Sequence, residues 1–198
     1  SGAYALASNT TGSSNAAHGN VALFSNTTGN FNTASGTKSL YLNTTGSNNT
    51  AVGYTALQKN TTGGSNTASG YESLRENTTG NFNVGYGNLT LRLTTTGSCN
   101  TAVGTSALAA NTTGNHNTAV GTKSLKATTT GESNAAIGTF SGYALTTGFG
   151  NAAVGRSALQ STTSGCYNVA VGKSALVLNT TANFNTAVGG CSLYANTT

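Results

Sequence analysis

The sequence predicts an all-β protein: a parallel β-solenoid, or β-roll, of about twelve coils of 17 residues, forming one repeat array over residues 1–198. Three observations predict it. A 17-residue unit, N-T-T-G-x-x-N-T-A-V-G-x-x-[AS]-L-x-x, repeats from one end to the other without insertion or deletion. Gly, Asn and Thr dominate it, and all are poor helix formers; 17 residues also fall well short of the roughly 33 to 47 that helical repeats need. Finally, the chain contains neither Asn-Gly nor Asp-Gly, the dipeptides expected of tight antiparallel hairpins. What remains is one coil per unit, with equivalent residues stacked about 4.8 Å apart in a rod about 55 Å long.

The unit Asn49–Ser65 serves to assign the elements in order. Asn49 opens it and belongs to a column without exception: Asn15, Asn32, Asn49, Asn66, Asn83, Asn100, Asn117, Asn134, Asn151, Asn168 and Asn185. Stacked amides bond to the coils above and below, so this column reads as a structural Asn ladder. Thr50-Ala51-Val52 follows as a strand. The Ala51 position is small throughout, with Gly85 the one change, and is expected to face a narrow interior. Successive strand residues point to opposite faces, so Val52 then points outward beside Thr50. Gly53 and Gly63 head two glycine columns that suit left-handed or otherwise restricted backbone at corners.

Leu57 heads the expected core ladder, with Leu6, Leu23, Leu40, Leu74, Leu91, Leu108, Leu125, Leu159, Leu176 and Leu193. It fails at Gly142, where Phe140 and Leu145 flank the gap and are expected to fill it. Three pairs of columns vary freely, those of Ser47-Asn48, Tyr54-Thr55 and Gln58-Lys59, and they hold every Lys, Arg and Glu; they read as solvated corners. The outward column of Val52, Val103, Val120, Ile137, Val154, Val171 and Val188 is an apolar stripe of the kind that marks an interface. It predicts lateral association, most simply as a homotrimer; the alternative places Val inside and Ala on a flat outer face.

The block N-T-A-V-G-x-x-[AS]-L resembles the N-S-V-A-I-G-x-x-S-x-A repeat of trimeric autotransporter adhesin heads. The whole unit is similar to the repeats of phage and bacterial tail-fibre-like proteins, which often precede an intramolecular chaperone domain. The resemblance covers the entire chain, and its agreement over successive copies makes it specific. It implies a left-handed, trimeric β-roll serving as a surface-exposed shaft or head. The adhesin repeat is shorter, however, so its loop geometry does not transfer directly to N-T-T-G, and neither an anchor nor a chaperone domain is visible here.

Composition narrows the function classes. Only 6% of the chain is charged, against roughly 25% for a typical globular domain. Pro, Met, Trp and Asp are absent, and the three acids are Glu72, Glu76 and Glu132. The net charge of +5 is scattered in no cluster, which argues against nucleic acid as a partner. No apolar run approaches the roughly 20 residues that span a bilayer, so membrane insertion is not expected of this segment. The start lacks Met and a secretory pattern, and the end breaks off in mid-unit at Asn196-Thr197-Thr198, so a segment of a longer fibre is expected.

Catalysis and cofactors are not expected. His18 and His116 occupy different columns, and only Glu72 and Glu76 stand near enough for paired-carboxylate chemistry. Cys99, Cys166 and Cys191 fall in three columns and suggest isolated thiols rather than a disulfide framework or a zinc site. Asn-x-Thr sequons at Asn9, Asn26, Asn43, Asn60, Asn77, Asn111, Asn179 and Asn196, with Asn88 off register, are candidate glycosylation sites, although the motif is better read as the turn itself. Aromatic neighbours one coil apart, Phe24 with Tyr41 and Tyr54 with Tyr71, are candidate platforms for a host-surface glycan.

The expected function is thus a non-enzymatic structural or adhesive fibre segment, extracellular or on a virion, with itself as partner. Two alternatives stand beside it. One is a self-assembling filament with coils stacked end to end. The other is an ice-binding solenoid using the Thr10 and Thr11 columns, which is weakened because adjacent Thr residues point to opposite faces.

Overall fold

A computed structural model describes residues 1–197. Each Thr-Ala-Val block forms a three-residue strand: β1 Ala16–His18, β2 Thr33–Ser35, β3 Thr50–Val52, β4 Thr67–Ser69, β5 Val84–Tyr86, β6 Thr101–Val103, β7 Thr118–Val120, β8 Ala135–Ile137, β9 Ala152–Val154, β10 Val169–Val171 and β11 Thr186–Val188. The eleven strands form one parallel sheet in chain order. The register is the repeat itself: Thr50 pairs with Thr67 and Ala51 with Ala68. The fold is a parallel β-solenoid, one strand per coil.

Three residues in 17 make a short strand, yet hydrogen bonding between coils continues around the circumference. Leu57 N–H donates to Ser73 at 3.0 Å, Thr61 N–H to Thr78 at 2.9 Å and Ser65 N–H to Ser47 at 3.0 Å. The non-strand backbone instead passes through left-handed conformations. Thr55 (φ 53°), Leu57 (φ 51°) and Ser65 (φ 57°) lie there, as do their equivalents along the rod. For an L-residue that conformation costs roughly 1–2 kcal/mol, and the N–H bond that each makes to a neighbouring coil offsets it.

The two glycine columns have different causes. Gly53 has φ 133°, open essentially to glycine alone, and a Cβ there would lie 2.5 Å from the Gly70 carbonyl oxygen. Gly63 has no positive φ, against the expectation that both columns supply unusual backbone. It is glycine for want of space, since a Cβ would lie 2.5 Å from Asn60 Oδ1 and from the Gly80 carbonyl oxygen.

The core is a thin double strip. One part is apolar: Ala51, Ala56, Leu57 and most of their equivalents are fully buried. The other is amide: the Asn49 and Asn60 columns are buried over most of the rod. Each buried Leu contributes about 1.5–3 kcal/mol, and each satisfied amide bond about 1 kcal/mol. At the Gly142 gap, Leu145 enters the core from the Asn60 column. Phe140 does not; it stays half-buried at the surface, edge-on to Tyr143 with ring centroids 5.6 Å apart. A Cβ on Gly142 would meet Leu125 Cδ2 at 2.7 Å, so that space is already taken from the coil below.

Candidate interaction face

Pleating decides which side chains reach solvent. In every strand the middle residue is buried while its neighbours are partly or fully exposed. Ala51 is fully buried and Val52 is 43% exposed. Val52, Val103, Val120, Ile137, Val154, Val171 and Val188 all face out, with exposures from 36% to 70%. From β6 to β11 the stripe is unbroken: Val103, Val120, Ile137, Val154, Val171 and Val188 pair in register strand to strand. At the other end the same column reads Ser1, His18, Ser35, Val52, Ser69 and Tyr86, and is mostly polar. The Thr50 column runs beside it and adds hydroxyl and methyl groups to one face.

The polar columns behind this face hold its coils in register. Along the invariant Asn ladder, Asn49 Oδ1 accepts from Asn66 N–H at 3.0 Å, and Asn49 Nδ2 donates to the Gly63 carbonyl at 2.8 Å. The sequon asparagines make a second ladder. Asn60 Nδ2 donates to Asn43 Oδ1 at 2.7 Å and to the Gly63 carbonyl at 2.9 Å. Asn26, Asn43, Asn60, Asn77, Asn111 and Asn179 are fully buried, so in the folded chain these amides hold turns and cannot receive a glycan. Asn9 and the off-register Asn88 are exposed, whereas Asn196 is only partly exposed with its Nδ2 buried, and its sequon ends at Thr198, outside the described residues.

The Thr-Thr pair divides its work. Thr61 Oγ1 donates to the Thr78 carbonyl at 3.0 Å, whereas Thr62 and its column are exposed, giving one outward Thr array. The stacked aromatics are present: Phe24 and Tyr41 at 5.5 Å, Tyr54 and Tyr71 at 5.6 Å between centroids. A third cluster, Phe149, Tyr167 and Phe184, has centroid spacings of 5.0 and 5.3 Å. Gly150 makes room for it, since a Cβ there would lie 2.8 Å from the Tyr167 ring. The sequence signal was available, as three aromatics in two adjacent corner columns.

The corner charges are less solvated than their variable columns imply. Glu72 and Glu76 side chains keep only 12% and 18% of their exposure, because cations close over them. Lys59 bridges to Glu76 at 2.7 Å, Arg75 to Glu76 at 2.7 Å and to Glu72 at 3.2 Å, and Arg92 to Glu72 at 2.7 Å. Burial disfavours ionising Glu72, but the hydrogen bonds from Arg92 and Tyr71 and the Arg75 charge hold its carboxyl below the ordinary value. Glu76 is likewise held down, against burial, by Lys59 and Arg75. Thr55 and Ser106, in the same corner column as Glu72, are buried outright.

The remaining chemistry-bearing residues are dispersed. His18 Nδ1 lies 3.1 Å from Ser1 Oγ, His116 is exposed, and Glu132 accepts from Asn115 Nδ2 at 3.0 Å. Cys99, Cys166 and Cys191 are free thiols. No helix among the described residues is long and apolar enough to cross a membrane. No family model, curated protein or solved structure matches the chain.

Proposed function

We propose that this chain is a non-enzymatic fibre segment of the tail-fibre or trimeric-adhesin kind, extracellular or virion-borne, whose rods associate side by side as a homotrimer. One observation carries this: the unbroken outward ladder from Val103 to Val188 on an in-register face. Isolated exposed aliphatics are ordinary, but a continuous stripe on a regular sheet marks an interface. Covering each Val or Ile would contribute on the order of 1 kcal/mol. The flat register lets copies meet over many coils, and the stacked corner aromatics stay free for a surface glycan.

Sedimentation of the isolated chain tests the reading. The expected species is a trimer, and the triple variant Val120→Ser, Ile137→Ser, Val154→Ser should weaken association by at least about 100-fold while keeping its circular dichroism. A clean monomer at high concentration would sink it. A second reading, ice binding, draws on the exposed Thr62 column. Thermal hysteresis decides it, and none at millimolar protein ends it.

A further inference from the structure

Two corners border the outward face, and their chemistries differ. The leading corner, formed by the Ser47 and Asn48 columns, holds no Lys or Arg anywhere along the chain. It carries exposed rings instead, Phe31, Phe82, Phe149, Tyr167 and Phe184, and its one acid is Glu132. The trailing corner, formed by the Tyr54 and Thr55 columns, carries Lys38, Lys123, Arg156 and Lys173. Its one acid, Glu72, is already covered by Arg75 and Arg92.

Rings and cations are matched by level at three strands. Phe31 precedes β2 and Lys38 follows it; Phe149 and Arg156 bracket β9; Tyr167 and Lys173 bracket β10. The whole strand lies between the members of each pair, so they do not meet within one chain. Lys123 rests over Phe140, 5.4 Å from the ring centroid. Lys38, Arg156 and Lys173, by contrast, have neither a salt bridge nor a ring beneath them among the described residues. A cation over a ring is attractive, and more so once water is displaced.

We propose that a second copy supplies the partner: rods lie parallel and unstaggered, the leading corner of one against the trailing corner of the next. Phe149 and Tyr167 of one copy then face Arg156 and Lys173 of its neighbour. The proposal rests on side-by-side association over the Val ladder and adds its direction and height. A rotation axis parallel to the rods brings unlike corners together at one height. A coil rises about 4.8 Å over its 17 residues, so corners six or seven residues apart differ by only about 2 Å. Long Lys and Arg side chains span that difference, and Glu132 of one copy comes within one coil of Lys123 of the next. Antiparallel rods would instead set like corners together, cations against cations. The Phe24–Tyr41 stack lies on another corner and is left free.

Corner exchange in the full chain tests the pairing, with association read by sedimentation and folding by circular dichroism. The half exchange, Phe149→Arg with Tyr167→Lys, sets cation against cation and should weaken association by at least about 20-fold. Adding Arg156→Phe and Lys173→Tyr restores unlike corners at the same levels and should bring association back to within about 5-fold of wild type. A second arm reads height. With Cys166→Ser and Cys191→Ser, Cys99 ahead of β6 is the one thiol left. Thr105→Cys, exposed just after β6, should form an interchain disulfide with it on mild oxidation. Thr139→Cys, two coils further on, and Cys99 alone should not. An associated protein whose half exchange binds as tightly as wild type overturns the proposal and leaves side-by-side association standing. So does an interchain disulfide through Thr139→Cys or Cys99 alone in place of Thr105→Cys. A wild-type monomer overturns the proposal together with the association on which it rests.

Discussion

The two halves of the rod share a backbone but hold their polar and apolar ladders differently. In the first coils the inner column runs Asn9, Asn26, Asn43, Asn60, Asn77 without a break, while the outer strand column is mostly Ser, His and Tyr. From Thr94 onward the inner column becomes Thr94, Asn111, Thr128, Leu145, Thr162, Asn179, and the outer column turns wholly aliphatic. The breaks have a cost. Asn77 Oδ1 beneath Thr94, Asn111 Oδ1 beneath Thr128, and Thr128 Oγ1 itself are buried without a hydrogen-bond partner. The first half is held together from within by a chain of amides. The second half has a weaker inner chain and a face that gains from being covered by a neighbour.

The largest expected effect tests the inner ladder where it is whole. Asn60→Ala removes bonds to Asn43 Oδ1 and the Gly63 carbonyl, and takes away the acceptor for Asn77 Nδ2 at 2.7 Å. With buried partners orphaned and a cavity left, the loss should be about 3 kcal/mol in urea unfolding. Thr162→Ala in the second half removes the bond to the Asn179 carbonyl at 3.1 Å and the longer one accepted from Asn179 Nδ2 at 3.4 Å, and should cost about 1 kcal/mol. Equal losses at the two sites would break the comparison.

Repair should be possible where the ladder first fails. Thr94→Asn would place an amide between Asn77 and Asn111, donating to the orphaned Asn77 Oδ1 and accepting from Asn111 Nδ2, which now reaches Thr94 Oγ1 at 3.3 Å. A gain of about 1 kcal/mol is expected, measured as a shift of the urea midpoint at unchanged slope. A loss would mean that the coils around Thr94 have adjusted to the smaller side chain.

Much of this was legible from the sequence, because a stacked repeat writes its geometry in columns. The 17-residue period, the strand at Thr50–Val52, the inward Ala and the Leu ladder follow from spacing and from the alternation of strand side chains. What escaped has no column signature of its own. Left-handed backbone at Leu57 looks like any core Leu, since the propensity that would flag it is overridden by its N–H bond to Ser73 in the next coil and the bond its carbonyl accepts from Asn60. The sequon Asn60 reads as a surface turn until the fold turns it inward against Gly63. The ion-pair cluster was hidden because its members, Lys59, Glu72, Arg75, Glu76 and Arg92, lie in three columns and three coils, where variation suggested free solvent.

That cluster gives the smallest and most selective prediction, because it lies at the junction ahead of the aliphatic half. Glu72 and Glu76 have carboxyls held below the ordinary value of 4.5 in the folded chain. A depressed folded value means the stabilisation is present above the unfolded value and is lost as pH falls below it through the folded one. The partners are partly exposed, so each pair contributes at most about 0.5 kcal/mol. Amide protection around residues 54–92 should therefore decline between neutral pH and the range below 4.5, while protection in β8 to β11 stays level. Glu72→Gln with Glu76→Gln should flatten that decline and slightly lower stability at neutral pH. If the later coils lose protection first on acidification, the junction is not where the rod's charge-dependent stability resides.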